Sequence, residues 1–221
     1  SFGIAKEPYD DEEYEMALSK LGEFKSRFPY SQYAVESELL IANSHFELGQ
    51  FAEAAAAYEQ FVKLHPNHPK LDFAMFRVGE SYWADAPEEI DREQDYAKKA
   101  IEEWNKLIKR LPNSPYAKQA VSLVEAGTLR IVESMEFVAD FYCKMEVYHS
   151  CAYRFIKLAE EYPQFKEKRE RALVSAANAL EYVAQSKDQD PASDKNIYHK
   201  AMSSTQIREL IASLKTKAAA R

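Results

Sequence analysis

The stretch FAEAAAAYEQFVKLHP, residues 51–66, decides the fold. Phe51, Ala54, Tyr58, Phe61 and His65 stand 15, 12, 8, 5 and 1 residues before Pro66. Steps of three and four trace one face of an α-helix. The same offsets before Pro29 hold Tyr14, Ala17, Leu21, Phe24 and Phe28. Before Pro112 they hold Ala97, Ala100, Trp104, Leu107 and Leu111, and before Pro163 Tyr148, Cys151, Phe155, Leu158 and Tyr162. Each copy is therefore an amphipathic helix with one small residue on its buried face, stopped by proline. The small residue lets a neighbouring helix come close.

A second set of helices opens on Tyr33-Ala34, Phe73-Ala74 and Tyr116-Ala117. Ala42 precedes Ala54 by 12 residues and Ala139 precedes Cys151 by 12, whereas Gly79 precedes Ala100 by 21. The third copy thus carries an insertion at Asp85–Asp91, polar and marked by Pro87 as a loop should be. Paired helices with a period near 34 are the tetratricopeptide pattern. The expected fold is all-α, a tetratricopeptide-repeat superhelix (an α-solenoid) of about five helix pairs, the first truncated. Helices are expected near 10–27, 33–48, 51–64, 70–84, 94–110, 116–144, 147–161, 166–185 and 204–216. Residues 1–8 read as the stub of a first helix, and 186–202, with Pro191, as a polar loop. Ser203 and Gln206 have the spacing of a capping box.

Composition agrees. The 221 residues are 46% hydrophobic and 29% charged, enough for a core, and only 5 Gly and 9 Pro argue against a fold of many hairpins. Net charge is -7 and no basic stripe is present, so nucleic acid is not an expected partner. Cys143 and Cys151 are too few for a disulfide scaffold or a zinc site. They read as free thiols packed as small apolar side chains. A bridge would need their Cα atoms within about 7 Å, which sequence does not decide.

No catalytic constellation stands out: there is no GxGxxG, phosphate loop, GxSxG or HExxH. His65 and His68 lie in a proline-bounded turn, and zinc would want more clustered ligands. The chain reads as a non-enzyme with no catalytic residue, cofactor or metal. The acidic run Glu7, Asp10, Asp11, Glu12, Glu13 and Glu15 reads as carboxylates complementing the dipole of a first helical turn. What remains is surface. With Ala42 and Gly79 as inner positions, Leu39, Asn43 and Phe46 in one repeat and Phe76, Glu80 and Trp83 in the next are candidates to line a peptide groove. The same rings also read as core between repeats.

Four segments carry a closer likeness: FKSRFPYSQYA at 24–34, FVKLHPNHPKLDFAMFRVGESYW at 61–83, DREQ at 91–94 and LIKRLPNSPYA at 107–117. With the long helix 116–144 they resemble the BamD family of outer-membrane assembly lipoproteins, over about residues 9–185. The lipidated cysteine and full first helix of that family are not in this chain, and the C-terminal tail is longer. The resemblance implies a scaffold on the periplasmic face of the outer membrane, held there by an N-terminal lipid anchor absent from this chain. It implies that residues 1–115, the N-terminal repeats, form a substrate-side groove meeting unfolded outer-membrane β-barrel proteins. Residues 116–221, the C-terminal repeats of one continuous solenoid, would bind the POTRA domains of the barrel protein BamA. Other lipoproteins of that machinery are possible partners. In FYCKMEVYHSCAYRFIKLAEEYP, residues 141–163, Arg154 falls on a recurring family arginine and is the candidate BamA contact. The alternative is a periplasmic tetratricopeptide adaptor of envelope or cell-wall processes, CpoB-like, which FPYSQYA alone fits equally. A cytosolic co-chaperone is disfavoured because the chain lacks the Lys/Arg pair that clamps a terminal carboxylate in such modules.

Overall fold

The computed structural model describes residues 1–189 and 202–220. Among them it is all-α, with ten helices and no strand. In chain order these are α1 Phe2–Asp10, α2 Tyr14–Arg27, α3 Ala34–Glu47, α4 Phe51–Leu64 and α5 Leu71–Ala84. Then come α6 Asp95–Arg110, α7 Pro115–Lys144, α8 Tyr148–Glu161, α9 Lys166–Gln189 and α10 Ser204–Ala219. The fold is that of a tetratricopeptide-repeat protein. The small position of each copy and the large one four residues later are the best-buried pair: Ala17 and Leu21, Ala54 and Tyr58, Ala100 and Trp104, Cys151 and Phe155 are each 1% exposed or less.

Two kinds of turn alternate. Before Pro29, Pro66, Pro112 and Pro163 the capping residues Phe28, His65, Leu111 and Tyr162 take φ between -133° and -124° with ψ near 58°. A residue before proline is pushed out of the helical region, which ends α2, α4, α6 and α8 there. The turns after α1, α3 and α7 use a left-handed residue: Glu12 (φ 61°), Gly49 (φ 71°) and Glu146 (φ 59°). In each the following amide reaches back five residues, as Glu13 to Pro8, Gln50 to His45 and Val147 to Tyr142, at 2.7 to 2.9 Å. That is the Schellman closure of a helix C-terminus.

The turn at Glu12 corrects one expectation. Residues 10–13 do not begin the second helix; α1 ends at Asp10 and the chain reverses before α2. The acidic run is therefore split, and only Glu15 lies in the first turn of α2. At the other end α9 runs on to Gln189, so residues 186–189 are helix. The rest of the expected loop, Pro191 included, lies outside the described residues except for Met202. The capping box at Ser203 and Gln206 forms.

The helices gather into two compact units, residues 1–88 with 94–128 and residues 89–93 with 129–221. In the first, consecutive helices α1 to α6 pack on one another. The first turns of α7 belong with them, because Ala117 and Ala120 join Phe76, Trp104 and Leu107 in one apolar cluster. In the second, Val132 and Ala139 of α7 pack with Phe155 of α8, Leu180 of α9 and Ile207 of α10. A carboxylate clasps this unit: buried Glu136 meets Lys168 at 2.6 Å and Arg171 at 3.3 Å.

Candidate functional site

In the first unit the inner helices α3 and α5 converge on Arg77, which the sequence reading did not single out. Its Nε donates to the Tyr58 hydroxyl at 3.1 Å, and its two terminal nitrogens meet Glu47 at 3.1 Å and Glu80 at 3.3 Å. The guanidinium lies 3.7 Å from the centre of the Phe46 ring. Tyr58 donates in turn to Asn43 Oδ1 at 2.5 Å, and Asn43 Nδ2 donates to the Tyr9 hydroxyl at 3.1 Å. Burial pushes the Tyr58 phenol up to about 12, although Arg77 beside it pulls the other way. Burial also raises the Glu80 carboxyl, against the pull of Arg77. Every donor edge of Arg77 is thus engaged, so it does not wait for a ligand carboxylate.

Of the six groove candidates, Asn43, Phe46, Glu80 and Trp83 keep part of their surface. Leu39 and Phe76 are corrections: at 3% and 7% exposure they are core between helices and have nothing to offer a peptide. Both sit three residues before the inner small position, one helical step nearer the core than the groove. The signal that pointed to Arg77 was present, since Glu80 follows it by three and Phe73 precedes it by four on one face of α5. Between the turns at 66–69 and 112–114 a cleft of about 540 Å³ opens, spanned by Arg110 donating to the Pro66 carbonyl at 3.3 Å. Among the described residues no group of three or more His, Cys, Asp or Glu could hold a metal ion.

The second unit presents a different surface. Arg154 on α8 lies flat on the Tyr142 ring of α7, 3.9 Å from its centre, and Nη1 donates to the Ser150 carbonyl at 3.4 Å. It is half-buried. No carboxylate pairs with it among the described residues, whereas neighbouring Lys157 has Glu161 at 3.6 Å. Beside it a cleft of about 250 Å³ is lined by Ser134, Met135 and Val138 of α7 and by Tyr153, Arg154 and Lys157 of α8. An apolar floor under an unpaired guanidinium suits a carboxylate next to an apolar side chain.

One residue beyond Tyr142, Cys143 is bonded to Cys151, with the Cα atoms 5.1 Å apart. The expectation of two free thiols is therefore corrected. The left-handed turn at Glu146 folds α8 back on α7 and brings the two positions within bridging range.

Comparison with known proteins agrees with this architecture. The family model described as outer membrane lipoprotein, YfiO, matches residues 2–208. The chain belongs to the YfiO family of outer membrane lipoproteins. This YfiO-family chain is 28% identical over 162 residues to the outer membrane protein assembly factor BamD of Vibrio cholerae, covering 69% of the chain and 67% of that protein. The protein of that name from Neisseria gonorrhoeae is 27% identical over 180 residues, covering 73% and 64%. That from Pasteurella multocida is 22% identical over 171 residues, covering 73% and 66%. The chain thus spans about two thirds of the length of these relatives. No described helix of this family member is long and apolar enough to cross a membrane.

Proposed function

We propose that this chain is a non-enzymatic scaffold of outer-membrane β-barrel assembly, working at the periplasmic face of the outer membrane. The relatives it resembles carry the name outer membrane protein assembly factor BamD. The Cys143–Cys151 bridge supports an oxidising compartment such as the periplasm, since such bonds rarely persist against cytosolic thiols. In this reading the N-terminal repeats meet unfolded barrel substrates along the edge that carries Asn43, Phe46, Glu80 and Trp83. The C-terminal repeats bind the POTRA region of the barrel protein BamA. Other lipoproteins of the machinery and a lipid anchor upstream of the chain complete the proposal.

The observation that carries the partner assignment is Arg154, half-buried over Tyr142 with no carboxylate paired to it among the described residues. A guanidinium held flat on a ring has already lost much of its side-chain freedom, so pairing with a partner's carboxylate costs little further ordering. Substituting Arg154→Leu should weaken binding of the purified POTRA region by about 2–5 kcal/mol, roughly thirtyfold or more. The helical circular dichroism spectrum should stay unchanged, because the residue contributes little to the core. Equal affinities of wild type and variant in a calorimetric titration would remove Arg154 from the interface.

A further inference from the structure

Alternate turns of the first unit carry opposite charge. Its successive helices pack on one another and reverse direction, so the turns after α1, α3 and α5 share one edge. There, segments 10–15, 47–53 and 85–88 hold nine carboxylates and no Lys or Arg. The turns after α4 and α6 lie side by side at the opposite edge, where Arg110 donates to the Pro66 carbonyl and Ser114 to Asp72. Segments 63–72 and 109–118 bring Lys63, Lys70, Lys109, Arg110 and Lys118 there, all exposed, against the one carboxylate of Asp72. These cations are far apart in the sequence and gather only in the fold.

Helix dipoles do not account for the split. Cations closing α4 and α6 have the favourable sign, but α1 and α3 end in Asp10 and Glu47 and Asp85 caps α5, the wrong sign for a helix C-terminus. Lys70 at the N-cap of α5 and Lys118 in the first turn of α7 are equally misplaced. Nor do ion pairs use the cations up. Among the described residues no carboxylate pairs with any of the five, whereas Lys106, one turn back on α6, has Glu102 at 3.0 Å and Glu103 at 2.7 Å. Asp72 is engaged by the Ser114 hydroxyl at 2.7 Å and the Phe73 amide at 2.8 Å. The cleft of about 540 Å³ between the two turns is walled by Pro66, Pro69 and Pro112, whose rings fix the backbone in advance. Through Pro66 and Arg110 it joins a second cleft, of about 290 Å³, that reaches Lys63.

The same edge also bares apolar side chains. Leu64, beside Lys63, is 53% exposed, and in the turn after α2 Phe28 and Tyr30 are 46% and 101% exposed. Lys and Arg interleaved with such side chains suit a membrane interface, cations on phosphates and rings at the headgroup boundary. Cations spread along an edge meet a plane of phosphates better than one acidic peptide. The far edge does not cancel the attraction: the 14 residues of α4 span about 21 Å, more than about two Debye lengths at physiological salt. We propose that this edge of the first unit docks on an anionic lipid surface. Phosphate headgroups sit on the five cations, one of them in the cleft between the proline turns, and Phe28, Tyr30 and Leu64 meet the headgroup boundary. This contact needs neither the POTRA region nor a lipid anchor, so its failure leaves the scaffold reading untouched.

The experiment sediments the chain, without any lipid attached, with vesicles of phosphatidylcholine alone or mixed with phosphatidylglycerol. Wild type should pellet with the mixed vesicles only, and high salt should release it. One cation near an anionic leaflet contributes about fivefold in partitioning, so Lys63→Gln/Lys109→Gln/Arg110→Gln should bind on the order of a hundredfold more weakly. Glu15→Gln/Glu53→Gln, at the far edge, should bind like wild type. Lys70→Gln/Lys118→Gln replaces the triple variant if circular dichroism shows that one misfolded. A tryptophan placed by Tyr30→Trp should be quenched by brominated lipid in the mixed vesicles. Wild type that ignores the mixed vesicles, or cation variants that bind them as wild type does, would overturn the proposal. So would an edge that binds a synthetic Glu-rich peptide but no vesicle, since it would then meet an acidic protein.

Discussion

Gly79→Ala sets two opposed effects against each other, and the structure decides the winner. In the interior of a helix alanine is favoured over glycine by about 1 kcal/mol. Here, however, an added Cβ would lie 2.5 Å from Cδ1 and 2.7 Å from Cε2 of Trp104, well inside van der Waals contact. The indole cannot retreat. It is 1% exposed, donates from Nε1 to the Phe76 carbonyl at 3.2 Å, and packs 5.9 Å from the Trp83 ring. Overpacking costs about 1–3 kcal/mol, and pulling the indole off its acceptor adds about 1 kcal/mol or more. Set against the helix gain, the net expectation is a loss of about 2 kcal/mol. Trp104→Ala alone should cost about 3–5 kcal/mol by emptying the largest buried slot. In that background the obstacle to the added methyl is gone, so the same glycine replacement should stabilise by up to about 1 kcal/mol. The sign reverses, giving a coupling of about 3 kcal/mol between the two positions. Urea unfolding of the four proteins, followed by circular dichroism at constant m-value, measures it. Equal effects of Gly79→Ala in both backgrounds would show that the indole does not lie on Gly79 and that the packing of α6 on α5 is wrong.

Glu38 gives a pH dependence. Burial raises its carboxyl, but hydrogen bonds from His65 and Lys25 outweigh that and hold its pKa below the ordinary value. A lowered folded pKa contributes stability above the unfolded value, near pH 4.3, that is lost as pH falls through the folded one. Glu38→Gln should therefore cost about 1.5 kcal/mol at pH 7, with the gap to wild type closing below about pH 4; a gap that stays fully open at about pH 2 would contradict the assignment. Glu12 holds a left-handed conformation that Gly49 holds in the equivalent turn. Glu12→Gly should raise stability by about 1 kcal/mol, or about 2–4 °C in melting temperature, and a lowered melting temperature would show that the carboxylate itself supports the turn.

The helices were legible because each copy repeats two strong signals, a 3.6-residue apolar row and a proline that forbids its continuation. Trp104, Tyr58 and Phe155 occupy the large slot that their offset from proline assigned to them. Less legible were the turns that lack glycine. Gly49 announces itself, whereas Glu12 and Glu146 take the same left-handed conformation without a residue type that signals it. Hence the apolar pattern alone extends a helix through residues 10–13. The chain also divides inside α7, after Thr128, where no loop residue marks the place. The helix continues because its backbone bonds are local, while its side chains change partners from one cluster to the next.

The two arginines show why sites are harder to read than folds. Nine residues before the four prolines stand Lys20, Ala57, Glu103 and Arg154, so the position carries no common residue type and packing leaves it free. Two before the inner small residue stand Leu40, Arg77 and Phe137, equally mixed. Positions that build the core repeat; positions with copy-specific contacts differ from one repeat to the next, and a search for periodicity passes over them. The cysteines mix the two kinds. Cys151 fills the small slot held elsewhere by alanine, and Cys143 stands four after Ala139, where Phe46 stands four after Ala42. Phe46 packs against the cluster containing Ala54, so the repeat brings these two positions together wherever it occurs. Superimposing the copies thus explains why Cys143 and Cys151 lie within bridging range. It also explains why one bond can fix the α7–α8 register: it replaces a contact the other repeats make by packing, next to the ring that carries Arg154.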